Sequence, residues 1–138
     1  LVCIQAADTC FIASSSGARV GLDAARDPRE GVDISHRGGE AGFVEVKRNG
    51  AATTLCMPDY AGNNAFNTLG NLARHPRAGL AFPDFQHGDL LLLACEAEII
   101  WEGPELARFE GAKRLVSFGV RGGVRLPAAM PFRWSAPA

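Results

Sequence analysis

Two short stretches hold the residue types that could do chemistry: Ser35-His36-Arg37-Gly38-Gly39 and Pro58-Asp59-Tyr60-Ala61-Gly62-Asn63-Asn64. Each follows an extended run and turns on glycine. The second leads into an amphipathic run that ends at Pro76. A strand, a glycine-bearing turn and a polar helix start let backbone N–H groups and the helix dipole meet an anion. Arg37 is the cation inside these corners, and Gly38 and Gly39 let backbone approach closely. Asn63 and Asn64 are suited to cap the helix and to donate amide hydrogens to an oxyanion. Asn67 lies one turn further on. Asp59 is a poor phosphate neighbour, so its place is against turn N–H groups or in an ion pair with Arg37. Two such corners in one β-rich domain point to a phosphate-bearing ligand. The plainer alternative makes Arg37 a surface turn residue and the asparagines simple caps.

The elements that must position these corners follow from periodicity. Residues 9–13 and 32–35 read as strands, the latter alternating apolar and polar. Residues 19–22 give a weaker strand, and 23–31 a charged loop. Residues 42–46 and 53–57 are strands on either side of Asn49-Gly50, a hairpin signal whose flanking strands do not pair cleanly. Residues 64–75 predict a helix with an apolar stripe of Phe66, Leu69, Leu72 and Ala73, and with Asn64, Asn67 and Asn71 on another face. Arg74 and His75 suit its negative end, and Pro76 stops it. Residues 78–82 and 89–101 predict two strands joined by a loop with Gln86-His87-Gly88. Residues 104–109 suit a short helix, and 115–120 a late strand. Trp101, Phe43, Phe66, Phe82 and Phe118 are assigned to the core. Many short strands with one clear helix indicate a mainly β protein, a small barrel with helical additions.

The chain has 138 residues, 47% hydrophobic and 21% charged, which suits a single domain spanning 1–138. A formal net charge of −1 gives nucleic acid no basic face to bind. No apolar run reaches the ~20 residues of a membrane helix; Leu90 to Cys95 reads as a buried strand. Cys3, Cys10, Cys56 and Cys95 form no C-x-x-C pair and have no histidine at metal-ligand spacing, so no metal site is expected. They are expected as reduced, mostly buried thiols in a cytoplasmic protein. A start at Leu1 rather than Met is expected of a chain cut from something longer.

Asp33-Ile34-Ser35-His36-Arg37-Gly38-Gly39, Gly42-Phe43-Val44, Pro58-Asp59-Tyr60-x-Gly62-Asn63, Asn67-Thr68-Leu69-Gly70-Asn71, Pro76-Arg77-Ala78-Gly79-Leu80 and the closing Ala129-Met130-Pro131-Phe132-Arg133-Trp134-Ser135 follow one another in a specific order. In these blocks the chain resembles the pyridoxamine 5′-phosphate oxidase-like family of FMN-binding split barrels. The branch it resembles comprises oxidase-like flavoproteins, some fused to ferredoxin-reductase modules. The match runs from about Asp8 to Trp134.

The resemblance implies a split β-barrel of the FMN-binding type and a homodimer with FMN sites at the subunit interface. It implies cofactor contacts at Ser35, Arg37, Gly38, Met57, Pro58, Asp59, Tyr60, Asn63, Asn64 and Asn67. Arg37 and the asparagines would serve the phosphate and ribityl chain, and the strand end from Met57 to Tyr60 would serve the ring. It further implies two-electron flavin chemistry on a small-molecule substrate, with NAD(P)H or a reductase module as donor. No catalytic residue is singled out. Where the vitamin-forming oxidases carry Ser-Arg-Lys, this chain has Gly62-Asn63-Asn64, and Leu90 takes the place of their strand-opening glutamine. Both departures argue against pyridoxamine phosphate as the substrate. The alternative is a module that carries flavin, haem or a deazaflavin without turnover of its own.

Overall fold

The computed structural model describes residues 2–15, 32–60 and 66–130, with backbone alone at positions 2, 60, 66 and 67. The expected strand at 19–22, the loop at 23–31, and Asn63, Asn64 and Trp134 lie outside the described residues.

The described elements run α1 (Val2–Gln5), β1 (Thr9–Ser15), β2 (Val32–Gly38), β3 (Glu45–Asn49), β4 (Ala52–Tyr60), α2 (Phe66–Arg74), β5 (Arg77–Asp84), β6 (Asp89–Ile100), α3 (Pro104–Ala107) and β7 (Ala112–Leu126). The strands form one seven-stranded sheet in the order β2-β1-β5-β6-β7-β4-β3, antiparallel at every pairing. β2 and β4 stand far apart in that order, yet Arg37 Nη1 on β2 donates to Asp59 Oδ1 on β4 at 3.0 Å. The sheet is therefore curled until its first and sixth strands meet across a gap bridged by side chains. This is the barrel-like, mainly β architecture that the strand pattern predicts.

The core follows the period of two. Ala78, Leu80 and Phe82 of β5 alternate inward, and Ile12, Leu55, Met57, Val116 and Phe118 join them. Phe82 and Phe118 are fully buried, each worth ~1.5–3 kcal/mol over an exposed ring. Leu69 and Leu72 of α2 close one end of this core, while Ala73 turns outward, which narrows the predicted stripe. A polar seam holds α2 to the sheet as well. Thr68 is 1% exposed; its Oγ1 donates to Asp33 Oδ2 at 3.1 Å and lies 2.9 Å from Ser35 Oγ. Asn71 Nδ2 donates to Ser14 Oγ at 3.2 Å.

Several expectations change. Ser35 to Gly38 belong to β2, paired with β1 as far as Thr9↔Gly38, so they are strand rather than corner. Pairing to β1 extends the strand through residues whose types alone suggested a turn. The chain turns only from Gly39, where a Cβ would stand 3.0 Å from Phe43 Cβ, and through Gly42 at φ 86. β3 opens at Glu45 rather than residue 42. The β3–β4 hairpin is clean, with Asn49↔Ala52 flanking a turn that uses Gly50 at φ 63. β7 is much longer than 115–120 because it pairs along one edge with β4 and along the other with β6. Trp101 is not core: it follows the end of β6 and is 60% exposed.

β2 is inverted. Its inward row is Asp33, Ser35 and Arg37, while Val32 and Ile34 face outward at 74% and 68% exposure. The register carries that outer face across the sheet: Ile34↔Ala13, Phe11↔Ala81, Ala81↔Leu92, Leu92↔Val124 and Leu90↔Leu126 are neighbours on it. Leu90 and Leu92 are only half-buried for this reason, while Leu91 and Leu93 pack against the core.

Candidate functional site

The site is built where side chains of β2, β4 and β7 converge. Along β4, Leu55, Met57 and Asp59 point to the same face, and along β7 their partners are Phe118, Val116 and Arg114. Two apolar pairs thus lead up the barrel wall to a charged one. Asp59 is 4% exposed, a carboxylate that water barely reaches. Burial of that kind is stable only beside opposite charge. Arg37 supplies it from β2, and Arg114 supplies more from β7, with Nε 3.2 Å from Asp59 Oδ2. The Arg37 and Arg114 side chains are 11% and 20% exposed.

The cluster is unbalanced. Two guanidinium groups face one carboxylate, leaving one formal positive charge. Only Arg37 Nη1 makes a well-directed hydrogen bond to Asp59, because the Arg114 N–H does not point along its short contact. Arg37 Nε and Arg114 Nε are both buried without a hydrogen-bond partner. Unpartnered buried donors are rare in folded proteins and call for an acceptor. The Arg114 guanidinium also lies 5.3 Å from the centroid of the Trp101 ring, a cation–π contact.

The predicted site residues divide accordingly. Arg37 and Asp59 come together here in the expected ion pair, whereas Ser35, two residues before Arg37 on β2, meets Thr68 of α2 instead. Gly38 ends β2 beside them. Met57 is 4% exposed and its side chain packs in the core. Pro58 is half-buried and pairs with Leu115. Tyr60 ends β4 opposite Ala112, after a break in register at Asp59. Asn67 lies in the first turn of α2. Asn63 and Asn64 fall outside the described residues. Sequence reasoning missed Arg114, Thr68 and Trp101. The available signal was Arg114-x-Val116-x-Phe118, a period of two that sets an arginine on a core-facing row.

The cysteines take no part. Burial pushes the Cys10 thiol up to about 12 and the Cys95 thiol up to about 11, and it also raises Cys56. Such thiols are poor nucleophiles. Among the described residues, no group of His, Cys, Asp and Glu side chains could hold a metal, and no helix is long and apolar enough to cross a membrane. A cavity of about 480 Å³ lies apart from the cluster, lined by Ala13, His75, Arg77, Gly79, Glu96 and Arg121 among others.

Neither a family profile nor a curated protein matches the chain. Solved structures do. It is similar to tagged HupZ from Group A Streptococcus (14% identity, TM-score 0.63, covering 94% of this chain and 92% of that one). A histidine-to-alanine variant of HupZ is similar too (14% identity, TM-score 0.61, 89% and 93%). So is a candidate pyridoxamine 5′-phosphate oxidase from Lactobacillus delbrueckii (13% identity, TM-score 0.57, 85% and 84%). What these proteins share with the chain is the fold, a split barrel of the pyridoxamine 5′-phosphate oxidase-like type.

Proposed function

We propose that this split barrel binds FMN and acts as a flavin-dependent oxidoreductase on a small substrate other than pyridoxamine phosphate. The observation that carries the reading is the cationic cluster of Arg37, Asp59 and Arg114, with its two unpartnered guanidinium nitrogens. A phosphate monoester is the kind of acceptor such donors suit. The fit to the cofactor rests on that donor set. Arg37 would hold the phosphate, with Ser35 and Gly38 beside it on β2, Asn63 and Asn64 from the stretch before α2, and Asn67 from its first turn. The strand end from Met57 to Tyr60 would border the ring. The flavin supplies two-electron redox chemistry when bound. The chain binds it, orients it and shields it from water, and NAD(P)H or a reductase module would provide electrons.

The working unit is a homodimer. The outer face through Val32, Ile34, Phe11, Leu92, Val124 and Leu126 is a contiguous apolar surface on a single chain. Surfaces of this kind mark association sites. Replacing Ile34 by Glu should yield a monomer by sedimentation velocity; an unchanged species would move the interface elsewhere.

Asn63 and Asn64, standing where the vitamin-forming oxidases carry cations, favour a second reading: a module that carries flavin, haem or a deazaflavin without turnover. Reconstitution with FMN separates the two. Yellow colour with absorbance near ~450 nm that bleaches with NADH or NADPH supports the enzyme, and colour without bleaching supports the carrier. Arg37→Ala should weaken FMN by ~1.5–3 kcal/mol, the scale of a charge-assisted hydrogen bond. Unchanged affinity would return Arg37 to a purely structural role.

A further inference from the structure

We infer that Arg114 is a phosphate-binding residue, and that Arg37 and Arg114, set apart by Asp59, form a two-guanidinium clamp for a phosphate monoester. The argument is one of charge. Arg37 with Asp59 alone is a neutral pair joined at 3.0 Å and offers a dianion little attraction. Arg114, at 3.2 Å from the other carboxylate oxygen, makes the cluster cationic. Asp59 sits between the two guanidinium groups and offsets their mutual repulsion. Its two oxygens cannot satisfy the ten N–H donors that two arginines carry. One donor on each side of the carboxylate, Arg37 Nε and Arg114 Nε, is buried without a hydrogen-bond partner.

The Arg114 guanidinium lies 5.3 Å from the centroid of the Trp101 ring, and Trp101 is 60% exposed. The indole limits where the guanidinium can swing and makes a built-in reporter of it. In this chain Arg114 takes over the charge that Asn63 and Asn64 do not supply. The identity of the ligand rests on the flavin reading above; the clamp itself does not.

The test uses a Trp134→Phe background, so that Trp101 is the sole indole of the two tryptophans in the chain. Inorganic phosphate, titrated against chloride at matched ionic strength, should shift Trp101 emission saturably, and Arg114→Met should abolish the shift. FMN and riboflavin are then titrated by flavin fluorescence. Arg114→Met should weaken FMN at least ~10-fold and leave riboflavin, which lacks the phosphate, unchanged; a charge-assisted bond is worth that much. Arg114→Lys, which keeps the charge, should recover part of the loss and guards against a methionine variant that fails to fold. Unchanged FMN binding in Arg114→Met overturns the clamp while the flavin reading stands. Equal weakening of FMN and riboflavin also overturns it, since the loss is then structural. Phosphate binding that depends on Arg114, in a protein that takes up no flavin, supports the clamp and removes the flavin reading.

Discussion

Replacing Asp59 by Asn would remove the charge that joins the two sides of the curled sheet. The Asp59, Arg37 and Arg114 side chains are 5%, 11% and 20% exposed, so solvent screens them little. With charge centres ~4 Å apart and an effective dielectric of ~20, each attraction is ~4 kcal/mol before desolvation is counted. Removing one partner of a buried ion pair costs ~3–5 kcal/mol, because the other charge stays buried. Asparagine keeps one acceptor oxygen for Arg37, so the low end, ~3 kcal/mol, is expected. For a domain of this size that lowers the melting temperature by ~10 °C. Urea unfolding followed by far-UV circular dichroism at low salt measures it, run with Arg37→Met and with the double variant. The double variant should lose clearly less than the sum of the singles, since residues in one charge network couple. A loss below ~1 kcal/mol, the scale of an exposed ion pair, or strict additivity, would refute the idea that this pair closes the sheet.

Two further outcomes are expected. A Cβ at Gly123 would stand 2.6 Å from Leu93 Cδ2 and 3.0 Å from the Leu92 carbonyl oxygen, whereas one at Gly122 meets nothing within 4 Å. Gly123→Ala should therefore cost ~1–2 kcal/mol by thermal unfolding, with Gly122→Ala close to silent; equal midpoints would show that the β6–β7 pairing accommodates the methyl. The raised thiols of Cys10 and Cys95, about 12 and about 11 when folded, hold their protons in a range where the unfolded chain has lost them. Their contribution to stability is whole below the ordinary thiol range and declines as pH rises from there toward 11 and then 12, by up to ~1.4 kcal/mol per pH unit per thiol. Cys95→Ala should make the alkaline decline in urea midpoint shallower; an unchanged slope would show that other groups cause it.

Local composition was enough for the element types. Alternation in residues 78–82, helical spacing in 66–72, Asn49-Gly50 and Pro76 each act through neighbours in the chain, and all appear in the fold much as their chemistry requires. The fold type was legible too, through the order of the blocks from Asp33 to Leu80. Arg37 and Asp59 stood out as charged residues beside the glycine corners, and they do meet.

Long-range pairing decided the rest. The strand that absorbs Ser35 to Gly38 exists because β1 lies beside it, and the residues themselves read as a turn. Arg114 fell one residue before the strand expected at 115–120. It became part of the site only when β7 lengthened to pair with β4 and set it opposite Asp59. Trp101 was assigned to the core, but the end of β6 leaves it 60% exposed with the Arg114 guanidinium over its ring. The inverted β2, polar inward and apolar outward, has the same alternating pattern whichever face is buried. A period of two states that two faces differ, and only the curl of the sheet determines which of them meets the carboxylate of Asp59 and which is left exposed.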